Sequence, residues 1–128
     1  MKNLRYLHDN REEGFTLIEM MATVCIIGIL AAISIPIYLN NKKTSVDNNV
    51  RTDLKSAAMV VENWSVSHPR GIPKQNVIDN VNITKGTTLT LTSADPGKYV
   101  IVGKNPKGKE AATTAGIIYD STLEGPNS

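Results

Sequence analysis

Apolar side chains run almost without a break from Phe15 to Leu39, with Thr16, Glu19, Thr23 and Ser34 as the polar exceptions. As a helix rising about 1.5 Å per residue, that stretch reaches about 37 Å, enough to cross a hydrocarbon core of about 30 Å with some tilt. After Leu39 the pattern changes. Val46, Val50, Leu54, Ala57, Ala58, Val61 and Trp64 recur at three- and four-residue steps, which predicts one apolar helix face. Asp47, Arg51, Asp53, Lys55 and Glu62 are expected mostly off that face. The stripe should pack on a sheet through Val50, Leu54, Ala57, Val61 and Trp64, with Trp64 as the largest anchor. His68-Pro69-Arg70-Gly71-Ile72-Pro73 ends the helix, because two prolines and a glycine cannot continue it.

The last third reads as strands. Thr87 to Thr92 alternates polar and apolar residues, so Leu89 and Leu91 share a face. Tyr99 to Val102 and Gly116 to Tyr119 are short apolar runs of the same kind. Asp95-Pro96-Gly97 is a turn signal between the first two, and Asn105-Pro106-Lys107-Gly108 opens a longer connection to the third. The fold class predicted is α+β: a long N-terminal helix, apolar then amphipathic, packed on a small antiparallel sheet of about three strands. Residues 74–86 fit either a short helix or a strand.

The chain then divides into residues 1–14, a short polar leader; 15–39, the apolar half of the helix; 40–68, its amphipathic half; and 69–128, the sheet region. At 128 residues this is one small unit. Net charge is +2, and the leader balances Lys2, Arg5 and Arg11 against Asp9, Glu12 and Glu13. Such a mild excess does not argue for nucleic acid. The leader's cations favour a cytoplasmic N-terminus, although Lys42 and Lys43 beyond the span dilute that bias. An ordinary secretory signal carries its apolar segment before the cut; here the apolar segment follows a polar leader. His8 reads as a solvated side chain.

Glu19 is the charge within the apolar stretch, close to one membrane face. Deeper in a bilayer a carboxylate costs about 2.5–3.5 kcal/mol on insertion scales. A charged leader ending in Gly14, then Phe15-Thr16-Leu17-Ile18-Glu19, then a long apolar helix, resembles the type IV prepilin family. The resemblance covers roughly residues 11 to 60. It implies that a membrane peptidase cuts between Gly14 and Phe15 and methylates Phe15. It also implies that Glu19 is required for assembly and that Pro36 occupies the family's helix-bending position.

Physical chemistry supplies a reason for the acid. Cleavage frees an α-amine on Phe15, a group that titrates near 7.7–8.0 when unperturbed. Glu19 of one subunit can pair with that amine of a neighbour shifted along a bundle of apolar helices, so that the pair sets register more than it adds stability. The missing side chain of Gly14 lets a protease approach closely. Pro36 leaves the Ala32 carbonyl without its usual donor, and Gly28 and Ser34 also weaken the helix there. This segment is expected to bend or unwind when the subunit leaves the membrane; a static kink is the alternative.

The resemblance implies a structural subunit polymerised into a surface filament serving adhesion, motility or DNA uptake. The implied partners are further copies of the chain, the peptidase and methylase, an assembly ATPase, a membrane platform, and the membrane before assembly. Two other readings stay open: a pseudopilin of a type II secretion or competence machine, and a single-pass protein with a small ligand-binding outer domain. The C-terminal Tyr119–Ser128 segment has no acidic cluster of the kind that binds calcium in the major pseudopilin, which favours a pilin.

Other signals are weak. Cys25 is the sole cysteine, so a disulfide within the outer region is excluded, in contrast to many pilins of Gram-negative bacteria. Gly103 to Lys109 fits G-x-x-x-x-G-K, but Glu110 stands where a phosphate-binding loop needs a hydroxyl for magnesium. Lys104, Lys107 and Lys109 instead describe a basic turn, and contact with nucleic acid has no further support. Asn63-Trp64-Ser65 and Asn82-Ile83-Thr84 match the glycosylation pattern, which arises often by chance. Asp95, Asp120 and Glu124 are too scattered to name a metal site. No catalytic constellation is evident, and neither an enzyme nor a cofactor is expected.

Overall fold

The computed structural model describes residues 14–123 and 125–126. The leader before Gly14, including His8, lies outside the described residues, as does Glu124. The chain divides after Pro36 into two units. Helix α1 (Leu17–Ser67) begins in the first and ends in the second, with Pro36 inside it.

In the second unit α1 lies against one antiparallel sheet. Its strands are β1 (Thr88–Asp95), β2 (Lys98–Lys104), β3 (Ile117–Asp120) and β4 (Gly125–Pro126), in spatial order β1-β2-β3-β4. Consecutive strands pair, so the order follows from the turns alone. Asp95-Pro96-Gly97 closes the β1–β2 hairpin, with Gly97 at φ 78° and a bulge between Ser93 and Asp95. The two-residue strand β4 was not expected; it pairs Tyr119 with Pro126 and Asp120 with Gly125. Residues 74–86 contribute a short 3-10 turn, Gln75–Val77.

The register explains the core. Leu89 faces Gly103, which faces Ile117; the next inward row is Leu91, Ile101 and Tyr119. These rows meet Val50, Leu54, Ala57, Ala58 and Val61 of α1, all buried. Gly103 sits mid-row because the helix comes close there: a Cβ on it would lie 2.6 Å from Val50 Cγ1. A larger residue would push helix and sheet apart.

Two expectations about the helix need correction. Trp64 is half-buried and outside the core. It stacks on His68, with ring centroids 4.4 Å apart, and lines an open surface groove of about 410 Å³ with Asn63 and Asn76. The largest fully buried side chains include Leu54, Ile101 and Val50, so the core is centred nearer the middle of the amphipathic half. Asp47 and Asp53, expected mostly off the apolar face, are both buried. By spacing, Asp47 belongs to the stripe, three residues before Val50. An acid is tolerated there because it is fully hydrogen-bonded, as described below.

Candidate assembly site

Gly14, Phe15 and Thr16 precede the first helical residue, Leu17, and all are exposed. The helix then starts with a reciprocal cap. Thr16 Oγ1 accepts the Glu19 N–H at 3.3 Å, and Glu19 Oε2 accepts the Thr16 N–H at 2.9 Å. This is the T-x-x-E capping box, which satisfies otherwise orphaned donors of a first turn. Its signal stood in Phe-Thr-Leu-Ile-Glu, although that motif suggested only an assembly role for Glu19. The acid also lies where a helix N-terminus favours negative charge.

Beyond the cap, the other polar side chains of the apolar stretch are satisfied within the helix. Thr23 Oγ1 donates to the Glu19 carbonyl at 2.8 Å, and Ser34 Oγ donates to the Leu30 carbonyl at 2.8 Å. What this apolar stretch offers its surroundings is therefore apolar surface and one carboxylate. That surface is uncovered: Phe15, Leu17, Ile18, Val24, Ile29 and Tyr38 are each at least 63% exposed. Cys25 is exposed on the same helix, and a Cβ at Gly28 would meet nothing within 4 Å. Such a surface demands lipid or other helices.

The prokaryotic N-terminal methylation motif matches residues 9–35, which contain Gly14, Phe15 and Glu19. A fimbrial protein, EcpB, of Eikenella corrodens is 43% identical over 63 residues, covering 49% of this chain and 38% of that protein. The type IV major pilin PilA of Myxococcus xanthus is 50% identical over 46 residues, 36% of this chain and 21% of that protein. Fimbrial protein Q of Moraxella bovis is 32% identical over 114 residues, 89% of this chain and 70% of that protein. The chain belongs to the type IV pilin family. It spans well under half the length of the first two of these relatives. No solved structure matches it.

The sheet region is held to α1 by polar ties. The Asp47 carboxylate accepts the backbone N–H groups of Lys109, Glu110 and Ala111, with donor–acceptor distances between 3.0 and 3.1 Å. Arg51 forms an ion pair with Glu110 of the same loop. Asp53 accepts the Thr84 N–H at 2.9 Å and the Thr84 hydroxyl at 3.3 Å. The Tyr99 hydroxyl donates to the Ala58 carbonyl at 3.3 Å and lies 3.2 Å from Glu62 Oε1. Burial, and then the charge of Glu62, push the Tyr99 phenol well above its ordinary range. The Asp120 carboxylate is held below its usual range mainly by the hydroxyl and backbone N–H of Thr122.

The phosphate-loop lookalike now has a structural account. Successive N–H groups from its last residue, Lys109, through Glu110 and Ala111 do surround an anion, and that anion is the protein's own Asp47. Gly108 is required there, since a Cβ on it would collide with Asp47 Oδ1. Asn105 anchors the loop's start, its side-chain amide donating to Thr87 Oγ1 at 3.2 Å. Lys104, Lys107 and Lys109 point into solvent around this turn. None of these ties carried a signal in the sequence beyond the three- and four-residue spacing of Asp47 and Asp53.

Proposed function

We propose that this pilin is a structural subunit, made as a precursor and polymerised through its N-terminal helix into a surface filament. The observation that carries the reading is the start of α1. An exposed, non-helical Gly14–Phe15 junction precedes a capped helix whose apolar half is uncovered and carries Glu19 as its charge. A protease needs an accessible bond outside regular structure, and that junction supplies one before the first hydrogen-bonded turn. The precursor waits as a single-pass protein in the cytoplasmic membrane, with the sheet region outside. A prepilin peptidase cuts after Gly14 and the new Phe15 amine is methylated.

Assembly then follows from charge and surface. The Phe15 amine carries a positive charge near neutral pH, and the Glu19 carboxylate a negative one. Each is costly alone among apolar helices, and together they are tolerated, so a subunit docks where its Glu19 meets a neighbour's amine. Dispersion and apolar burial along residues 15–39 supply the bulk of the attraction, and the pair selects the axial step. A segment around Gly28 and Pro36 allows the helix to bend as it leaves the bilayer. An assembly ATPase and a membrane platform drive extraction, since moving such a helix out of lipid is uphill.

Mass spectrometry of sheared surface material tests the processing. An N-methylated Phe15 terminus is expected; an intact Met1 terminus in that material overturns the proposal. Electron microscopy of cells with and without the gene should show long external fibres only when it is present. Short fibres confined to the cell envelope would assign the same helix chemistry to a secretion or competence machine.

A further inference from the structure

The sheet has an outer edge at β1, which pairs with β2 on one side and, among the described residues, has no strand on the other. This edge has the profile of one that pairs with its like. Thr88 to Ser93 carries no charge and no proline, alternates threonine with leucine, and belongs to an eight-residue strand. Exposed edges of that composition are templates for strand addition. Copies of this chain are crowded together wherever they accumulate, so an open β1 would invite edge-to-edge pairing.

The edge is not open at its centre. Gln75 Nε2 donates to the Leu89 carbonyl at 3.0 Å, and Gln75 Oε1 accepts the Leu91 N–H at 2.8 Å. Those two backbone groups point away from β2, where a further strand would bond. A side-chain amide carries the same donor and acceptor as a peptide group, so Gln75 supplies one rung of a missing strand. The 3-10 turn Gln75–Val77 holds it there, followed by buried Ile78, whose N–H bonds to the Gln75 carbonyl at 3.0 Å. A strand about 4.8 Å from β1 would have to displace both the amide and the turn.

We infer that Gln75 is an edge guard: it occupies the hydrogen-bonding groups at the middle of β1 and keeps copies of the chain from joining through their sheets. The filament is thereby left to the helices as the route of association. The guard is independent of the filament proposal, because it acts on any two copies whether or not the N-terminus is cut.

The test uses the full chain purified in detergent, with Cys25→Ser to remove disulfide dimers, and sedimentation to read the oligomer. The parent should remain one chain per micelle. Gln75→Ala should associate, with at least a tenfold larger oligomer fraction and an infrared band of intermolecular strands. Gln75→Glu keeps the acceptor and adds a charge at the edge, so it should stay monomeric. Adding Thr90→Lys to Gln75→Ala places a charge on β1 and should restore the monomer. A monomeric Gln75→Ala overturns the inference, and so does association that Thr90→Lys leaves unchanged. Loss of the sheet's circular dichroism in Gln75→Ala also overturns it, since removing two edge bonds should spare the core.

Discussion

Asp47 Oδ1 accepts the Ala111 N–H at 3.0 Å, joining two residues 64 positions apart. The carboxylate binds two further N–H groups of the same loop, and Asp47 is 4% exposed. Charge-assisted bonds of this kind are about twice as strong as neutral ones, and buried donors left unpaired cost about 1–3 kcal/mol each. Asp47→Ala should therefore lower unfolding free energy by about 3 kcal/mol or more. Asp47→Asn should cost about 2 kcal/mol, because its NH₂ group faces donors. Denaturant titration followed by circular dichroism checks both. A change under about 0.5 kcal/mol, the size of an ordinary surface substitution, would show the loop is held by other means.

Gly103 poses a packing test. A Cβ there would meet Val50 Cγ1 at 2.6 Å and Leu54 Cγ at 3.2 Å, both on the helix side of the core. Gly103→Ala should destabilise by about 1–3 kcal/mol through overpacking. Combining it with Val50→Ala should recover part of the loss, because the second change vacates the contested volume. A double-mutant cycle in thermal unfolding measures that coupling; strict additivity would mean helix and sheet do not approach closely at Gly103.

Tyr99 sets an alkaline limit. Its phenol is buried, lies against the Glu62 carboxylate and donates to the Ala58 carbonyl, so ionisation is harder folded than unfolded. The stability this gives is fully present below about pH 10, the ordinary tyrosine value, and is lost as pH rises through the higher folded-state value. Unfolding free energy should decline above about pH 10. Tyr99→Phe should show a shallower decline and keep the ring stacked on Tyr119, whose centroid is 6.2 Å away. An identical pH profile for the two proteins would remove Tyr99 as the cause.

How much of this was legible depended on the kind of signal. Periodicity located α1, the β1–β2 hairpin and the inward pair Leu89 and Leu91, because an apolar face leaves a spacing behind. It misplaced Trp64, since size says nothing about where the sheet ends, and beyond Val61 the aromatic stacks on His68 instead. It also set Asp47 and Asp53 mostly off the apolar face, because their donors are mostly backbone N–H groups, which every non-proline residue carries. Gln75 is unreadable for the same reason: its partners at Leu89 and Leu91 are main-chain atoms. The Thr16–Glu19 cap was readable and hidden by a second meaning of the same letters.

That double meaning yields the sharpest test of assembly. Glu19 does two things that ordinary substitutions confound: it caps the Thr16 N–H at 2.9 Å, and it carries a charge. Glutamine at the third helical position serves a capping box as glutamate does, but it is neutral. Glu19→Gln should therefore leave the helix start and membrane insertion intact, yet reduce incorporation into filaments at least tenfold. Thr16→Val does the reverse, removing the hydroxyl half of the cap at about 1 kcal/mol while retaining the acid, and should assemble nearly normally. Sheared-filament yield, set against total membrane-bound subunit on immunoblots, measures each. If Glu19→Gln assembles as well as the parent while Thr16→Val fails, the acid acts as a helix cap and the charge pair with the Phe15 amine has to be given up.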